Sequence, residues 1–150
     1  MERDSKYYVD KGFIDVSDDA EFRIIADAAS CFGKKYKGLQ RSYFRHPKES
    51  NKRLWFPKLY ENKEWENHIS SDESFITSKS KFPERNQQDI DNINPSEDYI
   101  VIVFTREKNS SGNLMYRFKG EYQLDQNSMS YENGHVWRKI ENRVKTYPNT

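Results

Sequence analysis

The residues best equipped for chemistry in this chain are basic and aromatic, and they are neighbours. Between Lys34 and Lys58, nine lysines and arginines stand against a single acid, Glu49, for a net charge of +8. Tyr36, Tyr43, Phe44, Trp55 and Phe56 are interleaved with them. Cations neutralise phosphates and rings stack on bases, so this mixture is the composition of a nucleic-acid surface. The same mixture also arises when the rings are core and the lysines are solvated, and composition does not separate the two. The phosphate-binding candidates are Lys35, Lys37, Arg41, Arg45, Lys52 and Arg53.

Catalytic constellations are weak by comparison. His46, His68 and His135 are scattered, and none pairs with another His or an acid at metal-ligand spacing. The single cysteine, Cys31, excludes a disulfide framework and a four-thiolate zinc site. It falls at the end of an expected helix, where the macrodipole disfavours a thiolate. Glu61 and Asp72 are the only basis for a small Mg²⁺-dependent nuclease. The chain has no Walker loop, no G-x-G-x-x-G and no G-x-S-x-G. The sequence points away from an enzyme, with no catalytic residues, cofactor or metal expected.

The elements that position these residues follow from composition and spacing. A chain of 150 residues is one domain by default. Its formal charge of +1 conceals strong segregation: −4 over residues 1–33, +8 over 34–58, −6 over 59–100 and +3 over 101–150. No run approaches the roughly 18 apolar residues of a membrane span, and no secretory h-region is present, so the cytoplasm is the expected compartment. Ten Tyr, nine Phe and three Trp against few Ala and Leu indicate a small, aromatic, strand-rich core. The first twelve residues are mixed-charge and expected to fray. Asp18 or Ser17 as N-cap, Glu21 three residues after Asp18, an apolar stripe of Phe22, Ile25, Ala26 and Ala29, and Gly33 beyond predict a helix over 18–32. Short strands are expected at Ser42–Arg45 and Arg53–Phe56, with a turn and strand within Trp65–Thr77. Residues 79–97 read as a polar loop, or one containing a short helix near Gln87–Ile93. The β-branched run Tyr99–Thr105 predicts a central strand buried on both faces. After a hairpin loop, Leu114–Leu124 alternates, placing Leu114, Tyr116, Phe118, Tyr122 and Leu124 on one face, with Gly120 as a bulge or bend. Val136–Val144 fits either a strand or a short helix.

Several of these segments carry a resemblance. Tyr99-Ile-Val-Ile-Val-Phe-Thr-Arg-Glu, Gly112-Asn113, Tyr116-Arg-Phe-Lys-Gly-Glu-Tyr122 and Val136-Trp137 together resemble the C-terminal recognition domain of bacterial helicase–nuclease modification-dependent restriction proteins. In that domain a strand ending in FVRE is followed by a Y-x-F-x-G strand and a segment carrying a Trp. The similarity extends over residues 72–145. That family is related to the PUA-like small β-barrels, which include SRA, YTH and EVE domains, several of which read a modified or flipped base in an aromatic pocket. The resemblance implies an α+β fold over residues 1–150: a single PUA-like, mixed or antiparallel β-barrel with an N-terminal helix. It implies a nucleic-acid reader, of DNA rather than RNA; the nuclease and helicase that accompany the reader in that family have no counterpart in this sequence, so any effector is expected to be a separate subunit or absent.

A flipped base needs aromatic faces, amide or carboxylate groups on its Watson–Crick edge, and cations on the flanking phosphates. Trp55, Phe56, Tyr60 and Trp65 form the candidate aromatic cluster, with Asn67 and Asp72 as edge readers and Tyr116 and Trp137 closing the pocket. Tyr116, Phe118 and Tyr122 also fit plain core positions on their alternating strand. The competing reading is an inhibitor of a host defence nuclease, encoded by a phage or mobile element, whose acidic residues 59–100 bind a basic protein groove. Monomer and homodimer both remain open, because an exposed strand is able to pair edge to edge.

Overall fold

The computed structural model describes residues 3–59, 65–130 and 132–149. The fold is mostly sheet with few helices, and its axis is the β-branched run identified in the sequence. That run forms β7 (Ile100–Lys108) and pairs antiparallel with β8 (Leu114–Leu124) through a tight turn. On the far side of β7 lies β4 (Lys52–Trp55), in parallel register, and outside it β3 (Tyr43–Arg45), antiparallel. Beyond β8 come β9 (His135–Glu141), β6 (Phe75–Ser80) and β5 (Trp65–Ile69), all antiparallel. The order across the sheet is therefore β3-β4-β7-β8-β9-β6-β5, with β2 (Glu21–Phe22) pairing on β8. A separate ribbon joins β1 (Phe13–Asp15) to β10 (Arg143–Lys145). No ladder joins β3 to β5 among the described residues, so backbone hydrogen bonds do not close the sheet into a barrel.

The alternation along β8 is only half right as a guide to its faces. Tyr116 and Phe118 pack in one core with Ile102, Phe104, Phe56 and Phe22, whereas Tyr122 and Leu124 pack in a second with Val101, Val103, Ile76 and Trp137. The register slips between Val103 and Phe104: Val103 faces Gly120 and Phe104 faces Phe118, leaving Lys119 as the extra residue. One extra residue reverses every side chain beyond it, so the single face expected from sequence divides between two cores. Gly120 has φ 114°, a conformation open to glycine, and a Cβ there would lie 2.6 Å from the Glu141 carbonyl oxygen. β7 is buried on both faces, as its apolar run predicts.

The N-terminal third departs further from expectation. Residues 5–11 form α1 (Ser5–Lys11), capped by the Asp4 side chain and ended by Gly12 in the left-handed region. Buried Tyr8 and the Thr146 hydroxyl, which donates to the Tyr8 carbonyl at 2.7 Å, fix it to the body. The helix expected over 18–32 shortens to α2 (Ile25–Ala29). Asp18 instead accepts from the Asp15 N–H, ending a short 3₁₀ turn, and Phe22 pairs with Tyr116 on β8. Tertiary pairing with a strand edge outweighs local helix preference here.

The β3–β4 hairpin carries part of the site, and buried His46 braces it. Nδ1 accepts the N–H groups of Lys48 and Glu49, both at 3.0 Å, so the proton of the neutral ring sits on Nε2. Burial pushes its pKa down to about 4, against the opposing pull of Glu49.

Gly120→Ala is expected to cost at least about 1–3 kcal/mol from backbone conformation alone, read as a lower urea midpoint. His46 is neutral when folded and titrates near its ordinary value when unfolded. Its contribution to stability is therefore full above about pH 6.5 and declines as the pH falls towards 4. His46→Asn keeps an acceptor for the two N–H groups and should flatten that slope in denaturation curves taken across this range.

Candidate nucleic-acid interface

A cavity of about 640 Å³ opens between the two unpaired ends of the sheet. Tyr43 of β3 and Trp55 of β4 contribute one side, and Trp65 and Asn67 of β5 the other. Ser78 of β6 and His135 and Trp137 of β9 line it too, as do Arg85 and Asp89 of α3 (Pro83–Asp91). All three tryptophans of the chain thus meet in one place. Trp55 and Trp137 make a corner, with ring centroids 5.5 Å apart and planes at 43°. His135 stacks on Trp137 at 6.3 Å and 18°. The Arg85 guanidinium lies over the Trp65 ring, 4.9 Å from its centroid.

The polar groups are oriented rather than loose. The Ser78 hydroxyl donates to Asn67 Oδ1 at 2.6 Å, and Asn67 Nδ2 donates to the Lys58 carbonyl at 3.1 Å. The second bond links β5 to the chain leaving β4, bridging the gap where no ladder forms. It fixes the amide and leaves one N–H and one lone pair to spare. Burial lowers the His135 pKa, outweighing the nearby Asp89 carboxylate and a bond to the Ser78 backbone, so the ring is neutral at pH 7; its N–H is taken by the Ser78 carbonyl and its other nitrogen is an acceptor.

Charge is arranged beside the rings. Tyr43 pairs with Trp55 and Arg45 with Arg53 across the β3–β4 register. Side chains two apart share a sheet face, so both arginines stand on the face that carries Tyr43 and Trp55. Lys35, Lys37 and Arg41 are exposed on the segment that leads into Ser42 at the rim.

Of the pocket residues expected from sequence, Trp55, Phe56, Trp65, Asn67 and Trp137 are brought together. Phe56 is also core, 1% exposed and stacked on Phe44 and Phe104. Tyr60 and Glu61 lie outside the described residues. Tyr116 does not reach the cavity, because its face of β8 packs edge-on against Phe56 in the first core. Asp72 is a turn cap: one oxygen accepts from the Ser70 hydroxyl and from the Ser74 N–H and hydroxyl, holding its pKa down to about 2. Lys52 is withdrawn from solvent between Glu121 at 2.6 Å and Glu49 at 3.2 Å, and so is an internal ion pair rather than a phosphate ligand. Tyr43, Ser78, Arg85, Asp89 and His135 were not expected. Tyr43 alternates with Arg45 in the basic block, a usable signal, but Arg85 and Asp89 come from a polar stretch with no apolar period. Among the described residues no group of His, Cys, Asp or Glu is placed to hold a metal ion, and no helix is long and apolar enough to cross a membrane.

The fold is an open sheet with few helices that holds an aromatic cavity at its seam, and sequence comparison identifies its class. Residues 7–146 match the model of the SRA (SET and RING associated) domain, and the chain belongs to that family. Among solved structures, the chain is similar to the 5-hydroxymethylcytosine-specific restriction enzyme AbaSI, with 34% identity and a TM-score of 0.88. That similarity covers 99% of this chain but 47% of the AbaSI chain, so this sequence spans about half the length of that enzyme. No curated protein matches.

Core and cavity roles separate experimentally. Phe56→Ala should cost about 3–5 kcal/mol, as for other buried phenylalanines. Trp65→Ala, on an edge strand and half-buried, should retain cooperative unfolding with a clearly smaller loss. Urea denaturation of the two variants makes the comparison.

Proposed function

We propose that this SRA domain binds DNA and reads a modified base, extruded from its helix, in the tryptophan-lined cavity. The convergence of all three tryptophans on one cavity beside the Arg45–Arg53 pair is the observation that carries the reading. Aromatic walls suit any base because every base has a π-face, and stacking is worth about 1–3 kcal/mol per base. Discrimination falls to polar groups: Asn67 with its spare donor and acceptor, Ser78, Asp89 and neutral His135. A carboxylate is the usual acceptor for the cytosine amino group, which gives Asp89 that role. By analogy with the specificity named for AbaSI, 5-hydroxymethylcytosine is the first base to test. Arg45, Arg53, Lys35, Lys37 and Arg41 take the flanking phosphates. The curl of the sheet around the cavity is that of an unclosed PUA-like barrel. In this reading the domain recognises and does not cleave. Any cleavage belongs to a nuclease elsewhere in the same polypeptide or on a separate subunit in the cytoplasm.

The test is binding to duplexes that differ at one cytosine, unmodified, methylated or hydroxymethylated, across a salt series. Modified duplex should bind more tightly, and Trp65→Ala should remove that preference. Arg45→Ala and Arg53→Ala should weaken binding to all duplexes alike, each lowering the salt slope by about 1. Equal affinity for all three duplexes would refute base reading, and no binding at low salt would refute the DNA-binding function.

A further inference from the structure

We infer that Asn86 is a positioning residue for the cavity: it holds α3 against the end of β6 so that Arg85 is seated on Trp65. Among the described side chains of α3, Asn86 alone is buried, at 3% exposure, while Glu84, Arg85, Gln87, Gln88 and Asp91 are exposed. The helix has no side-chain N-cap bond and little apolar surface, so it lacks the stripe that ordinarily fastens a helix to a sheet. Half-buried Ile90, and Ile93 packed on the second core just past its end, anchor its C-terminal side; the fastening of its N-terminal side is polar. Asn86 Oδ1 accepts the Ser80 N–H at 2.8 Å, and Asn86 Nδ2 donates to the Ser80 carbonyl at 3.2 Å.

These two bonds reproduce what a neighbouring strand would offer. β9 accompanies β6 only as far as the Ser78–His135 pair, and Ser80 lies beyond it. There the carboxamide takes the strand's place, satisfying a backbone donor and acceptor that burial would otherwise make costly. The Ser80 hydroxyl in turn accepts the Phe82 N–H at 3.0 Å, setting the turn into α3. The neighbouring Arg85 then lies over Trp65, and Asp89, four residues beyond Arg85, faces the cavity. Asn86 itself is not among the cavity-lining residues, so its influence on a ligand passes through Arg85 and Asp89.

This inference rests on the cavity being the binding site, so its test has one arm in the free protein and one with ligand. In the free protein, Asn86→Ala and the near-isosteric Asn86→Leu should speed hydrogen exchange of the Ser80 amide. Both should also shift tryptophan emission to the value of Arg85→Ala, while the urea midpoint stays above that of Phe56→Ala. With hydroxymethylated duplex, Asn86→Ala should weaken binding by about tenfold, the loss of roughly one net charge-free hydrogen-bond pair. Added to Arg85→Ala with Asp89→Ala it should weaken binding no further. Unchanged exchange and emission in both Asn86 variants would overturn the positioning role whether or not DNA binds. Altered exchange and emission with an additive loss of binding would overturn action through Arg85 and Asp89. If no variant or parent binds DNA, the proposed function fails, while the free-protein arm still decides whether Asn86 seats Arg85.

Discussion

Everything in this fold is arranged around the extra residue in β8. A two-stranded ribbon with strict alternation has one apolar face and supports one core. By slipping the register at Lys119 and Gly120, β8 gives Tyr116 and Phe118 to one core and Tyr122 and Leu124 to another. The first core packs the N-terminal elements and the C-terminal ribbon. The second forms the floor under the cavity, where Trp55 and Trp137 lie against it. Without the slip, the residues that support the cavity floor would face the wrong layer.

The slip carries an electrostatic cost that the structure offsets locally. It leaves Lys119 and Glu121, both 5% exposed, on a crowded strand. Lys119 reaches Glu73 at 2.6 Å and Glu107 at 3.2 Å, and Glu121 takes Lys52. Buried charges persist only when paired, so these acids and bases are committed to the interior. The segregation of charge along the sequence is partly cancelled in this way. Lys52 of the basic block is neutralised by Glu49 and Glu121, whereas Arg45 and Arg53, on the opposite face of the same hairpin, remain beside the cavity.

Much of this was legible in the sequence, for identifiable reasons. β7, β8, β3 and β4 announced themselves through β-branched runs, alternation and flanking turns. The cavity aromatics were found because tryptophans near a basic block are conspicuous. The failures share a cause. The 18–32 helix and the single face of β8 follow from local period; pairing of Phe22 with β8 overrules the first and the register slip against β7 the second, whereas the same period correctly places Tyr116 in the core. Asp72 is a turn cap and not a base reader, and the serines two residues to either side, Ser70 and Ser74, are the sequence pattern that marks it as one. The short helix expected near Gln87–Ile93 is present as Pro83–Asp91, but Arg85, Asn86 and Asp89 are polar positions on it, and hydropathy does not distinguish which of its polar residues turn inward.

The parallel pairing of β4 with β7 has a further consequence, for how the molecule comes to be. Parallel neighbours require a long excursion of chain between them, and here that excursion contains β5, β6 and α3, the far wall of the cavity. The remaining wall, His135 and Trp137, arrives only with β9. Contacts so distant in sequence form late and slowly. The cavity is therefore among the last parts of the domain to assemble, and a chain that has collapsed without docking β9 lacks Trp137 in both the floor and the wall of the cavity.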